Sequence, residues 1–376
     1  MHTIHRPLQR VGSAVIALSA VVCATALVAA PQDSAQSAAA SSSKTYTVHN
    51  LVSDGFVPAD HTDADLVNGW GIAASPTSPT WVADNGTGKS TIYDGNGTKL
   101  GLVVTIPPPP SGTPPSAPTG MVASTGNDFV VTKGTVSGAS RFIWATENGT
   151  IAGWSPAVDA TNAIIAVDNS ASGAIYKGLA LSGTGAGRFL YATDFHHNRV
   201  AVFDGSFHPV TTAGGFVDPK LPNHYAPFGI QNILGNLYVT YAKQDDDAED
   251  DVKGEGFGFV SVFDANGNFI RRFASRGTLN APWGVALAPA DFGKFSNALL
   301  VGNFGDGRIN AYDLASREFL GQLKKGPGDF VEIDGLWGIA FGNGVASQRT
   351  NWLFFAAGPG DEAHGLYGRI EAVAGS

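Results

Sequence analysis

The chain has 376 residues, 32 Asp and Glu against 23 Lys and Arg, a formal net charge of −9 and one cysteine. A single cysteine excludes a disulfide framework, so stability must come from burial of a core. The acidic balance disfavours nucleic acid or anionic lipid as a partner, because phosphate binding is driven by clustered Lys and Arg.

Residues 1–40 read as an export leader and a small-residue linker. Arg6 and Arg10 precede an uncharged apolar run from Val11 to Ala30, and the polar stretch PQDSAQSAAASSSK follows. That is the order of a signal peptide, with cleavage after Ala30 or within Ala38–Ala40. The competing reading is an uncleaved anchor, since the run is long enough to span a bilayer. Cys23 follows Val22, where a lipoprotein acceptor needs a small residue, and the arginines are not paired as a twin-arginine signal would need. The mature chain, 41–376, then has no cysteine, a net charge of −10 and no further apolar run able to cross a membrane. It is expected to be a single domain, monomeric, secreted or held in the cell envelope.

From residue 68 a phrase recurs: NGWGIA at 68–73, APTGMVA at 117–123, YKGLA at 176–180, APFGIQN at 226–232, APWGVA at 281–286 and GLWGIA at 335–340. Its glycines, Gly71, Gly120, Gly178, Gly229, Gly284 and Gly338, are about 53 residues apart on average. Each phrase is followed by an apolar run rich in β-branched and aromatic residues, as in RFLYATD at 188–194. A third run ends in an aromatic residue and Asp, as in NRVAVFDG, and a fourth completes the unit. Asn96-Gly97 and Asn266-Gly267 are hairpin dipeptides, because both positions tolerate positive φ.

Four antiparallel strands repeated at this length predict an all-β, six-bladed β-propeller of four-stranded blades. The sixth unit lacks its last strand, and TYTVHNLV at 45–52 is available to close the ring beside the C-terminal run and remove two sheet edges. Gly in each inner strand lets backbones approach near the axis. Trp70, Phe228, Trp283 and Trp337, each just before such a glycine, are expected to pack between blades. Unit two is the least regular: DFVVTK at 128–133 is either its second strand or an insertion. The proline-rich 107–118 reads as a stiff connection.

In a propeller, the loops between second and third strands share a face with the connections between blades. That face would gather Asp84 and Asn85; Glu147 and Asn148; Asp194, His196 and His197; Lys243 to Asp251; Asn303 and Asp306; and Asp361, Glu362 and His364. The blade connections add Asp65, Asn68, His224, Asn280 and Asp334. Oxygen-rich convergence suits Ca²⁺ or another divalent cation, and also hydroxyl-rich ligands. Asp and Asn also end strands simply because they make turns. The candidate metal ligands are Glu147, Asp194, Asn232 and Asn303, with Asp245 and Asp247 of the acidic run DDDAEDD. That run lacks the order of an EF-hand loop and reads as a solvated insertion or a weak calcium loop. His196-His197 could serve one ion only from a loop, since neighbours on a strand point apart. No G-x-S-x-G elbow, H-E-x-x-H or phosphate-binding G-x-x-x-x-G-K is present.

The phrases APWGVA…LLVGNFGDGRINAYD and YKGLA…FLYATDFHHNRVAVFD resemble NHL-repeat propellers. Over about residues 46–373, the phrases NGWGIA, WVADNGTG, ATENGTIAGW, YAPFGIQN, LYVTYAKQD, LNAPWGVALAP, IDGLWGIAFGNG and AGPGDEAHGL resemble a family of exported bacterial β-propeller proteins. That resemblance implies a propeller and export, and no catalytic residue. Two functions stay open. One is a binding or scaffold propeller whose polar mouth holds a small molecule, glycan or protein. The other is a divalent-metal-dependent hydrolase of the gluconolactonase or lactonase type, in which the ion would polarise a carbonyl.

Overall fold

The structure, a computed structural model, describes residues 44–373. The expected leader, 1–40, lies outside the described residues. No helix among the described residues is long and apolar enough to cross a membrane.

Six sheets surround an axis. The inner strands are Gly69–Ala73, Pro118–Ala123, Tyr176–Thr184, Tyr225–Ile233, Pro282–Leu287 and Leu336–Phe341, and each touches the next until the last meets the first. Blades 1 to 5 are four-stranded and antiparallel. Blade 6 is completed by Tyr46–Ser53, which pairs antiparallel with Leu366–Ala372 from Tyr46 opposite Ala372 to Ser53 opposite Leu366. The ring is thus closed by hydrogen bonds between the two ends of the described chain, which cover the edge that Leu366–Ala372 would otherwise expose.

The apolar alternation of the strands builds the core. In blade 3, Leu190 and Ala192 face blade 2 while Tyr191 faces blade 4. In blade 5, Leu299 and Val301 face blade 4 while Leu300 faces blade 6. Side chains of period two on a sheet buried on both faces require this, and each gap between blades holds its own apolar cluster. The glycine phrase is a steric requirement at the axis. A Cβ on Gly284 would lie 2.6 Å from the Trp337 carbonyl oxygen, and one on Gly178 would lie 3.0 Å from Gly229 Cα.

The recurring aromatic-Asp pair is also structural. Asp94, Asp204, Asp264 and Asp313 end third strands, and each carboxylate accepts hydrogen bonds from two backbone amides of the following turn. The Ser316 amide holds the Asp313 carboxyl below its ordinary range. In unit two, Val130–Lys133 pairs with Val136–Ala139 as a hairpin inserted between the first and second strands of the blade. The second strand is Phe142–Thr146, which settles the ambiguity of 128–133 as an insertion. A short hairpin, Lys324–Gly326 with Asp329–Phe330, sits in the connection from blade 5 to blade 6.

Candidate functional site

One chain of polar contacts crosses the mouth where inner strands begin and second strands end. Asn68 stands in the left-handed region just before the first inner strand, with φ 49°, and its side chain is buried. Its Nδ2 donates to Glu362 Oε2 at 2.8 Å and to Asn85 Oδ1 at 3.2 Å. Asn85 Nδ2 donates to Glu147 Oε2 at 2.9 Å. Lys177 Nζ donates to Glu147 Oε1 at 2.5 Å and to Asp250 Oδ1 at 3.0 Å. Blades 6, 1, 2 and 3 and the acidic loop of blade 4 are joined in this order.

Lys177 is 2% exposed. Burial alone would push its pKa down, but the charges of Glu147 and Asp250 outweigh that and hold it above the ordinary lysine range. Its Nζ also lies 5.3 Å from the centre of the Trp70 ring. Beneath the network the axis is filled by aromatic rings. Trp70 stacks on Trp337 at 3.5 Å, Phe304 stacks on the same Trp337 at 3.9 Å, and Trp283 meets both tryptophans edge-on. These aromatics pack on one another across blades, as expected from their place before the glycines.

A cavity of about 690 Å³ opens beside Lys177. It is lined by Glu147, Asn148, Ser170, Lys177, His196 and the acidic-loop residues Glu249 and Asp250, among others. His196 Nδ1 is buried with no hydrogen-bond partner. The acidic run is an organised loop: Asp245 N donates to the Asp250 carbonyl, and Asp245 Oδ1 accepts from the Glu249 amide. Asp251 follows, with its Oδ2 buried and unpartnered. Burial raises its pKa to about 7, against the lowering effect of Lys177 and Lys253 and with further raising by Glu362 and Asp250.

Of the residues nominated from sequence, Asn68, Asn85, Glu147, Asp250 and Glu362 join the network, and Asn148, His196 and Glu249 line the cavity. Others turn into their own blades. Asp84 is fully buried and accepts from Thr91 Oγ1 at 3.2 Å, and burial pushes its pKa well above the ordinary carboxylate range. Asp194 is held by His197 Nδ1 at 2.9 Å, Arg199 Nε at 2.9 Å and the Ile175 amide. Asn303 donates to the Thr278 carbonyl and to Asp306 Oδ1, and accepts from Asn310. These side chains tie second strands to the third strands of their own blades. His364 pairs with Asp54 at 2.8 Å and stacks on Phe56. Asp334 accepts from the Gly360 amide, and His224 is exposed.

The proposed metal set is therefore not brought together. Asn232 is at the opposite end of an inner strand, donating to the Leu181 carbonyl. Asp194 and Asn303 are enclosed in blades 3 and 5, Asp245 is engaged by its own loop, and Asp247 is exposed. His197 turns to Asp194 while His196 faces the cavity, with their rings at 86°. Among the described residues, no group of three or more His, Cys, Asp and Glu could hold a metal ion.

The chain is 36% identical over 333 residues to uncharacterized protein R648 of Acanthamoeba polyphaga mimivirus, a match that covers 87% of this chain and 80% of that protein. The chain belongs to the family of R648. A second member, uncharacterized protein L690 of the same virus, is 35% identical over 335 residues, covering 87% of this chain and 86% of L690. Both members are viral, where the sequence resemblance pointed to bacterial proteins. No protein-family model matches the chain. Among solved structures, a protein of unknown function from Bacteroides thetaiotaomicron superposes with a TM-score of 0.53 at 12% identity, covering 87% of this chain and 76% of that one. That likeness is one of fold.

The residue of this network that sequence reasoning missed is Lys177. The positions before the repeating glycines read Trp70, Thr119, Lys177, Phe228, Trp283 and Trp337. A cation in a column of mostly aromatic residues was the visible signal. It breaks the repeat at the position nearest the axis, where an unpaired charge would be costly.

Proposed function

We propose that this protein is an exported binding propeller whose mouth holds a neutral, hydroxyl-rich ligand of small-glycan size. The observation that carries this reading is the cavity of about 690 Å³ beside Lys177. Its wall offers the side-chain oxygens of Glu147, Asn148, Ser170, Glu249 and Asp250, together with His196. Hydroxyl groups both donate and accept, so they match such a wall without bringing a charge. Lys177 is already engaged by two carboxylates, so no free cation awaits an anionic ligand in this wall. The rival, a metal-dependent hydrolase, needs several ligands in one coordination sphere, and the residues nominated for it are dispersed.

Calorimetric titration with a panel of neutral mono- to trisaccharides tests the proposal. Saturable binding by at least one sugar is expected, weakened about tenfold or more by His196→Ala and by Ser170→Ala, and weaker for the matching uronic acids. Absence of binding across the panel, or binding untouched by both substitutions, would reject the assignment. Turnover of a lactone panel that is lost on chelation would favour the hydrolase.

A further inference from the structure

The acidic run beside the charged mouth is fastened to the body of the protein at one point. From Asp245 to Asp250 its backbone bonds are internal. The Asp245 amide donates to the Asp250 carbonyl, the Ala248 amide to the Asp245 carbonyl and the Glu249 amide to Asp245 Oδ1. At the base of the run, the Gln244 amide donates to the His224 carbonyl, Gln244 Nε2 to the Phe195 carbonyl and the Val252 amide to the Lys243 carbonyl. Among the described residues, the pair of Asp250 with Lys177 is the only hydrogen bond or ion pair that residues 245–250 make outside themselves.

That pair joins an exposed residue to a buried one. The Asp250 side chain is 75% exposed and the Lys177 side chain 2%. The other groups around Lys177 Nζ are the Glu147 carboxylate at 2.5 Å and the Trp70 and Phe195 rings at 5.3 Å and 5.9 Å. An exposed carboxylate bonded to a buried ammonium lies on its solvent side, so the acidic run is part of what covers Lys177. The run also has a force that pushes it away. Six of its seven residues, Asp245 to Asp251, are acidic, and like charges repel. Lys243 and Lys253 flank the run but lie over the Phe257 and Phe304 rings, at 4.7 Å and 4.4 Å.

We infer that residues 245–250 are a strap over the mouth, latched by the Asp250–Lys177 pair, which swings out as a local opening and uncovers Lys177. Glu249 and Asp250 line the cavity beside Lys177, so release of the latch withdraws one of its walls. Elements held by few contacts open at a lower free energy than the whole fold. As a gate for a ligand, the strap rests on the mouth being the binding site. Its movement is read without any ligand.

The test acetylates the full folded chain with acetic anhydride and follows Lys177 by peptide mass spectrometry, at several urea concentrations below the unfolding transition. A local opening exposes little new surface, so the rate at Lys177 should be nearly independent of urea. Asp250→Asn should acetylate Lys177 at least tenfold faster than wild type. Asp247→Asn removes the same charge from an exposed side chain of the strap that makes no bond to the body, and should leave the rate within about twofold. If Asp250→Asn lowers the melting temperature, the wild-type urea series decides alone. The inference is overturned by a wild-type Lys177 rate that climbs with urea as steeply as global unfolding, by an unchanged rate in folded Asp250→Asn, or by equal acceleration in Asp247→Asn. No sugar enters these measurements, so the strap and the ligand assignment fail separately.

Discussion

Asp251 shows how a single side chain couples the charged mouth to pH. Burial raises its pKa to about 7, and burial raises Glu362 and Asp84 in the same direction. An acid whose folded pKa exceeds its unfolded value binds its proton more tightly when folded. Its contribution therefore favours the folded state below about pH 4 and turns against it as pH rises through about 7, by up to about 1.4 kcal/mol per pH unit for one group. Asp251→Asn removes that titration. Its melting temperature relative to wild type should rise progressively between pH 5 and pH 8, and a constant offset across that range would contradict the assignment. Lys177, paired with Glu147 and Asp250, keeps its charge throughout and anchors the acidic loop. Its identity was plain in the sequence as a departure from the repeat. Its partners were not, because Glu147 is 30 residues away and Asp250 is 73.

At the scale of single strands, the repeating glycine is the feature with the sharpest consequence. Gly284→Ala would set a methyl group 2.6 Å from a carbonyl oxygen of the next inner strand, and backbone cannot move aside without opening the ring. A loss of about 3 kcal/mol or more is expected in denaturant unfolding. Gly185→Ala, at a hairpin glycine with open space around it, should stay within about 0.5 kcal/mol of wild type. Equal effects at the two sites would show that the inner glycines are not a packing requirement. The strands themselves and their turn dipeptides were legible from alternation and from Asn-Gly. The polar residues ending second strands were harder to read. Asp84, Asp194 and Asn303 look like rim ligands in the sequence, yet each turns inward to bond the next strand of its own blade. Nothing local distinguishes them from Glu147, which reaches the mouth.

For the molecule as a whole, stability depends on closing the circle. Tyr46–Ser53 supplies the outer strand of blade 6, and Tyr46 packs on Phe292 and donates its hydroxyl hydrogen to the Phe292 carbonyl at 3.0 Å. Tyr46→Ala should cost about 3–5 kcal/mol. A chain that begins after Ser53 should expose Leu366–Ala372 as an open edge and associate into larger species on size-exclusion chromatography. A monomeric, cooperatively melting product of that truncation would show that closure is dispensable. The six-fold repeat, the strand pattern and the closing segment were all determined by the sequence alone, because period-two burial and the spacing of turn residues are local properties that recur along the chain. Which polar residues meet at the charged mouth, and that the residues lining the other end of the axis are uncharged, was decided only by the tertiary structure. Those groupings join side chains from different blades, and their distances depend on how the blades pack around one axis.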